Sequence, residues 1–297
     1  MIIALDIGGT KIAAALVDGT EIVERRSAAS VIHSDLDQLV PTIQLLCRDW
    51  IAKAVGIGVG CTGLVGEGSV HFLSAGADKV IPLQTKLQQI FELPVVILND
   101  AWAAAWGEYK LGKHTAKNTL VYITVSTGIG GGIVQNGRLI TSSNGFAAHI
   151  GHLTVSRPDG QDFPCTCGRM NCVEAVASGT AIGRRASRLL QRVLDCREAF
   201  SIADSVPGIN ALIDDCAAAI AQLIANVKAV TGTEVVVLGG SVGLASGFRE
   251  RIQQVLTTLP DIYGVNLVAP ALGSDADTLG AALAIQDSLI KRAERYA

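Results

Sequence analysis

Charge is scarce in this 297-residue chain: Asp, Glu, Lys and Arg make up 17% of it, and 24 basic residues against 27 acidic ones leave a net charge of −3. No basic block stands out, so a phosphate-backbone partner such as nucleic acid has little to hold. Also missing is an uninterrupted apolar run of the roughly 18 residues that a membrane span needs; Gln222, Asn226 and Lys228 interrupt one of the longer runs. Met1 leads straight into an apolar strand without a charged region before it, so a secretory signal is not expected. No G-x-x-x-x-G-K-[ST] loop occurs, and neither of the glycine turns described below reads G-x-G-x-x-G opening a helix, which removes the Walker and dinucleotide fingerprints. What remains is a chain that is 49% hydrophobic. That excludes disorder, and the length suits two compact domains.

The seven cysteines are an odd number, and three of them cluster at Cys165, Cys167 and Cys172. This distribution reads as reduced thiols with a metal site rather than a disulfide framework, and places the chain in the cytoplasm.

Along the chain, residues 2–17 read as strand, glycine turn, strand, closed by Asp18-Gly19. Residues 120–140 repeat the design: slid over each other without a gap, Gly19 falls on Gly137, Asp18 on Asn136 and Leu16 on Val134. An internal duplication is the economical reading. Short apolar runs at 54–60, 94–98 and 234–238 have the composition of strands buried on both faces. Residues 101–110, 211–230 and 277–294 read as helices. Strands alternating with helices give α/β layers. The stretch 142–164 reads as a long functional loop or a small metal-pinned subdomain, and a domain boundary is expected near 110–118.

The chemistry-bearing residues sit at the ends of these elements. Asp6-Ile7-Gly8-Gly9-Thr10-Lys11 follows the first strand, where glycine amides can cradle an anion; an ordinary hairpin turn is the bland alternative. Ser126-Thr127-Gly128-Ile129-Gly130-Gly131-Gly132 spends four glycines in five positions, costly in a strand without a backbone need. Two such turns could clamp the phosphates of one nucleotide, and Gly239-Gly240-Ser241 could pack against a purine. Asn99-Asp100 reads either as a helix N-cap or as a carboxylate at the C-terminal end of a strand, where α/β ligands bind. His152 with Cys165, Cys167 and Cys172 satisfies a tetrahedral structural zinc site with a closed shell. Cys47, Cys61, Cys196 and Cys216 read as small buried hydrophobes. His149 and Glu174 flank the zinc segment and suit recognition of a polyhydroxyl ligand.

Together these residues resemble the ROK family of sugar kinases within the actin-like ATPase superfamily. The resemblance rests on D-I-G-G-T-K at 6–11, N-D-A at 99–101, S-T-G-I-G-G-G at 126–132 and G-H-L at 151–153. It continues with C-T-C-G-R-M-N-C at 165–172, V-E-A at 173–175 and G-G-S at 239–241. It implies two actin-like (ribonuclease H-like) α/β domains with an interdomain cleft and a small zinc-pinned loop. The first domain would span 1–112 with the helix 277–297 packed back on it; the second would span 113–276, with the zinc loop at 149–174.

The activity implied is ATP-dependent phosphorylation of a hexose 6-hydroxyl, with sugar binding closing the domains. By resemblance Asp100 is the catalytic base, and Gly63, Asn99, Asp100, His149, His152 and Glu174 bind the sugar. Asp6, Gly8, Gly9, Thr10, Lys11, Thr127, Gly128, Gly130, Gly131, Gly132, Gly239 and Gly240 bind ATP with Mg²⁺. His152, Cys165, Cys167 and Cys172 hold a structural Zn²⁺, and a homodimer is expected by analogy.

Glucokinases of the family usually carry Glu three residues before the zinc His, where this chain has His149. The resulting H-I-G-H, with V-E-A-V-A-S-G at 173–179 and G-G-S-V-G-L-A at 239–245, resembles the family's bacterial N-acetylmannosamine kinases. That implies formation of N-acetylmannosamine 6-phosphate in sialic acid catabolism. A glucokinase or other hexose kinase is the alternative, followed by a non-catalytic sugar-binding regulator. Family repressors carry a helix-turn-helix ahead of the glycine turn, for which Asp6 leaves no room, and an intact Asp100 argues against lost catalysis. Two positions depart from the family: residues 72–78 read F-L-S-A-G-A-D where an Asn-Pro pair is usual, and Asn171 replaces a knuckle Gly. Asn tolerates the left-handed backbone, so the metal site is expected to survive.

Overall fold

A computed structural model describes residues 1–72, 80–114, 119–157 and 160–295. Residues 73–78 of the departure and 115–118 of the expected boundary therefore lie outside the described residues. The chain divides into two compact units: Met1–Lys113 with Leu139–Ala147 and Ser274–Ala297, and His114–Arg138 with Ala148–Gly273. Residues 139–147, expected in the second domain, belong to the first unit. The reason is close backbone packing: a Cβ on Gly66 would stand 2.0 Å from the Ser143 carbonyl, and one on Gly145 would stand 2.7 Å from the Val65 nitrogen.

In the first unit the apolar runs become strands β1 (Ile2–Ile7), β2 (Lys11–Asp18), β3 (Glu21–Ala29), β4 (Ile57–Cys61), β5 (Leu64–Gly66), β6 (Ser69–His71), β7 (Val80–Ile81) and β8 (Val95–Asn99). The main sheet has the order β3-β2-β1-β4-β8. Its first three strands are antiparallel, and β4 and β8 run parallel to β1. β5, β6 and β7 form a separate small sheet. Helices α1 (Leu39–Cys47), α2 (Leu83–Phe91) and α3 (Asp100–Leu111) accompany them. The core includes Ile3, Leu5, Ile57, Val59, Trp50 and Phe72, all buried.

The second unit repeats the plan. Strands β9 (Thr119–Val125), β10 (Ile129–Gln135), β11 (Arg138–Leu139), β12 (Val235–Gly239) and β13 (Asn266–Val268) take the order β11-β10-β9-β12-β13. Again an antiparallel meander is extended by two parallel strands. The sequence repeat is thus a topological repeat, and the order is ribonuclease H-like in both sheets. A bulge falls in the β2–β3 pairing, where Leu16 is opposite Glu24 and Val17 opposite Ile22, so that Val23 on β3 is the extra residue. The second hairpin turns on Asn136 and Gly137, at φ of 51° and 72°, the left-handed pair that a two-residue turn needs.

Helices α4 (Val173–Ala177), α5 (Gly179–Leu190), α6 (Cys196–Ile202), α7 (Pro207–Thr231), α8 (Gly240–Gly243) and α9 (Phe248–Leu256) complete this unit. By length and mean composition α7 could cross a membrane, although polar residues interrupt it as the sequence indicates, and 61% of its most apolar window is buried inside the protein. Ile213, Cys216, Ile220, Leu223 and Ile224 bring it into the core. The closing helix α10 (Ala276–Glu294) belongs to the first unit.

Candidate active site and metal centre

In the first unit the candidate residues gather at the C-terminal ends of the parallel strands. Asp6 on β1 is in register with Gly60 on β4, and Cys61 with Asn99 on β8. A Cβ on Gly60 would stand 3.8 Å from the Asp100 Cα, in ordinary contact with the start of α3.

Asn99, not Asp100, is the N-cap of α3: its Oδ1 accepts the Ala101 amide at 3.0 Å and its Nδ2 donates to the Gly63 carbonyl at 3.2 Å. The chain at Gly63 has φ of +99°, and a Cβ would stand 2.6 Å from the His71 carbonyl, so only glycine fits. Because Asn99 caps the helix, Asp100 is relieved of that task. It occupies the first helical position, with Oδ1 accepting the Ala101 amide at 2.8 Å.

Burial pushes the Asp100 carboxyl up to about 6, with a smaller push from the charge of Asp277, against the pull of the Ala101 amide. Burial, then the charges of Asp277 and Asp100, push Asp6 up to about 7 against the pull of Lys11. Asp277 on α10 is itself raised, first by burial, although its Oδ1 accepts from the Thr278 amide at 2.6 Å. In the sequence Asp277 is a residue of the closing helix; the fold adds it to this carboxylate group. Nothing in the local pattern marks it, because its burial is tertiary. A carboxylate whose proton affinity is raised toward neutrality is suited to general-base work.

The first glycine turn is a short hairpin in which the Gly8 amide donates to the Lys11 carbonyl at 3.0 Å. Thr10 and Lys11 are exposed at its tip. A Cβ on Gly9 would stand 3.2 Å from His33 Nε2, a neighbour that the sequence did not suggest.

In the second unit the corresponding turn is shorter than its glycines suggest. It covers 126–128, closed by the Ser126 amide on the Gly128 carbonyl at 2.9 Å, while Gly130, Gly131 and Gly132 lie inside β10. Gly131 has a packing role: a Cβ would stand 2.4 Å from the Ile150 side chain. Gly239 and Gly240 are likewise bare where a Cβ would meet the Tyr122 hydroxyl at 2.3 Å and the Val125 carbonyl at 2.3 Å. Beside them opens a cavity of about 770 Å³ lined by Thr127, Thr180, Arg184, Arg197, Phe200 and Ser241, among others. Gly239 and Gly240 are not among its lining residues, and the contribution of α5 and α6 was not legible in the sequence. Cys196, expected to be buried, is half-buried and lines this cavity; Cys47, Cys61 and Cys216 are buried.

The metal-ligand set comes together as its spacing suggests. One donor atom from each of His152, Cys165, Cys167 and Cys172 lies within 4.8 Å of all the others. Cys165 Sγ is 3.6 Å from His152 Nδ1, and Cys167 Sγ is 3.6 Å from Cys172 Sγ. Tetrahedral zinc, with bonds of about 2.3 Å to sulfur and 2.0–2.1 Å to nitrogen, requires donors about 3.6–3.8 Å apart. The cluster fits that ion.

The knuckle is built by the Cys165 amide on the Arg169 carbonyl and the Gly168 amide on the Cys165 carbonyl, at 2.9 and 3.0 Å. Asn171 takes φ of +56°, and its Oδ1 accepts the Phe163 amide at 2.8 Å. It supplies both the left-handed backbone and a hydrogen bond that glycine could not. Because Nδ1 of His152 faces the sulfurs, Nε2 is directed elsewhere. The His149 ring lies parallel to the His152 ring, centroids 6.3 Å apart, after a left-handed Ala148 at φ of +56°. Glu174 stands in the first turn of α4, and its Oε2 accepts the Ile129 amide at 2.9 Å.

The chain belongs to the ROK family, whose model matches residues 2–288. An N-acetylmannosamine kinase of Yersinia pseudotuberculosis is 41% identical over 294 residues, covering 97% of this chain and 99% of its own. An N-acetylmannosamine kinase of Vibrio vulnificus is 38% identical over 291 residues, with 97% and 98% covered. Among solved structures, a ROK family glucokinase from Streptomyces griseus in complex with glucose and AMPPNP superposes with a TM-score of 0.78 at 27% identity, over 95% of this chain and 98% of that one.

Proposed function

We propose that this protein is an ATP-dependent kinase that phosphorylates N-acetyl-D-mannosamine on its 6-hydroxyl, giving N-acetylmannosamine 6-phosphate. What carries the reading is near-full-length identity of 38–41% to kinases named for that sugar, combined with His149 beside His152. The same resemblance supports a cytoplasmic homodimer working in sialic acid catabolism.

Asp100 takes the 6-hydroxyl proton as that oxygen attacks the γ-phosphorus of ATP and ADP leaves. The half-buried position and raised proton affinity of Asp100 suit this step. Asn99, with Gly63 held on its amide, His149, His152 through Nε2, and Glu174 bind the sugar hydroxyls and acetamido group. The amides and hydroxyls of the two glycine turns, with Lys11, hold the polyphosphate. The base and ribose sit in the cavity bounded by Phe200 and Val242, with Arg184 and Arg197 at its wall. Asp6 would hold Mg²⁺, an ion that neutralises phosphate charge. His152, Cys165, Cys167 and Cys172 would hold a structural Zn²⁺, pinning the segment that carries His149 and Glu174.

The test is ADP release with MgATP and a panel of N-acetylmannosamine, N-acetylglucosamine, glucose, mannose, fructose and allose. Strong preference for N-acetylmannosamine is expected. Preference for another hexose would keep the kinase and overturn the substrate; no turnover by folded, metal-loaded protein would favour a sugar-binding role.

A further inference from the structure

Glu174 stands between two tasks. One carboxylate oxygen, Oε2, accepts the backbone amide of Ile129 at 2.9 Å, where the second glycine turn enters β10. Gly128, the last residue of that turn, is bare against the same oxygen: a Cβ there would stand 2.7 Å from Oε2. The following residues strap the turn from its other side. The Gly179 amide donates to the Ser126 carbonyl at 2.7 Å, and the Thr180 hydroxyl donates to the Thr127 carbonyl at 2.9 Å. Upstream, Cys172 of the metal cluster is the N-cap residue of α4, and the Val173 amide donates to the Leu153 carbonyl at 2.9 Å. The cluster, Glu174 and the turn therefore form one continuous run of covalent and hydrogen-bonded contacts inside the second unit.

A carboxylate directly beside a turn that receives polyphosphate is electrostatically unfavourable unless it does something there. The Glu174 oxygen on the Ile129 amide fixes where the 126–128 amides and the Thr127 hydroxyl point. We propose that Glu174 is a positioning residue for the nucleotide-phosphate turn, in addition to its contact with the sugar, so that nucleotide affinity depends on the metal-pinned segment even when no sugar is bound. This rests on the reading of 126–132 as a phosphate turn.

The experiment is calorimetric titration of AMPPNP with Mg²⁺ into the metal-loaded full chain, without sugar. Glu174→Gln keeps an oxygen that can accept the Ile129 amide but not the charge, and its nucleotide Kd is expected to rise only about threefold, less than that of the Ala variant. Glu174→Ala removes the acceptor and is expected to raise Kd about tenfold, as loss of one hydrogen bond to a charged group does. Glu174→Asp retracts the carboxylate by one methylene while keeping its charge; it is expected to behave as Ala does and serves if the Ala variant does not fold. Nucleotide binding equal to wild type in both Ala and Asp variants would overturn the inference and leave the kinase reading intact. A wild-type protein that does not bind AMPPNP at all would overturn the kinase reading itself, and the inference with it.

Discussion

The Gly280 backbone lies directly against the Ala103 carbonyl: a Cβ on that glycine would stand 1.7 Å from the oxygen. The contact is matched by Gly107, whose Cβ position is 2.4 Å from the Ala276 carbonyl, so α3 and α10 touch backbone to backbone and run in opposite directions. Gly58 on β4 meets the Ala281 carbonyl in the same way at 2.0 Å. Three glycines thus seat the closing helix on the helix that begins with Asp100 and on the strand beside Asp6. Gly280→Ala is expected to cost about 1–3 kcal/mol, as overpacking of a tight core does. The measurement is a urea melt, with a lowered midpoint at unchanged slope; an unchanged midpoint would mean that the helices separate at no cost.

The carboxylate group of Asp6, Asp100 and Asp277 predicts a pH dependence with a definite sign. Asp100 must be ionised to act as base, and its proton affinity is pushed up to about 6. Turnover should therefore rise with pH through about 6 and level off above it. Asp277→Asn removes one charge that raises Asp100, so the rising limb should move to lower pH. Its effect on stability has the opposite profile to that of a salt bridge. The folded-state affinity of Asp277 is raised above its ordinary 3.8, so the stability it contributes is complete below that pH and is lost as pH rises through the folded value. The Asn variant should match wild type near pH 4 and melt higher at pH 8, measured without Mg²⁺. A variant that melts lower at pH 8 would show that the Asp277 charge is paired rather than crowded.

Much of this architecture was legible in the sequence because buried strands and their glycine turns leave local marks. The repeat at 2–17 and 120–140 reappears as two sheets of identical strand order, and Asn171 adopts the left-handed backbone that its place in the knuckle required. The small sheet of β5, β6 and β7 was not read, since strands of two or three residues carry no periodicity. The glycines at 130–132 were read as turn, but they lie in a strand, and for Gly131 the cause is close packing against Ile150. Asp277 and the α5–α6 wall of the cavity were invisible because only tertiary packing brings them to their places.

Metal content tests the cluster. One equivalent of zinc per chain is expected from the protein purified without chelator, by mass spectrometric metal analysis. Cys167→Ser should lower that equivalent and the melting temperature together, because a structural zinc site contributes folding energy directly. A stable protein without metal, with four reactive thiol and imidazole groups, would contradict the assignment.

His149 is expected to govern which sugar is used. Family glucokinases usually have Glu at the matching position, so His149→Glu should shift the ratio of kcat/KM for N-acetylmannosamine over glucose toward glucose, by about 10-fold or more if a buried polar partner is lost. Equal loss on both sugars would mean that His149 supports the fold of the 148–152 turn without reading the substrate.

Phosphorus NMR of a reaction containing the protein, MgATP and N-acetylmannosamine reports directly on which hydroxyl receives the phosphate. Transfer to the 6-hydroxyl gives ADP and a single new phosphomonoester whose phosphorus couples to the two protons on C6 of the sugar. A phosphate on another hydroxyl, or ATP left unconsumed beside unchanged sugar, would contradict it.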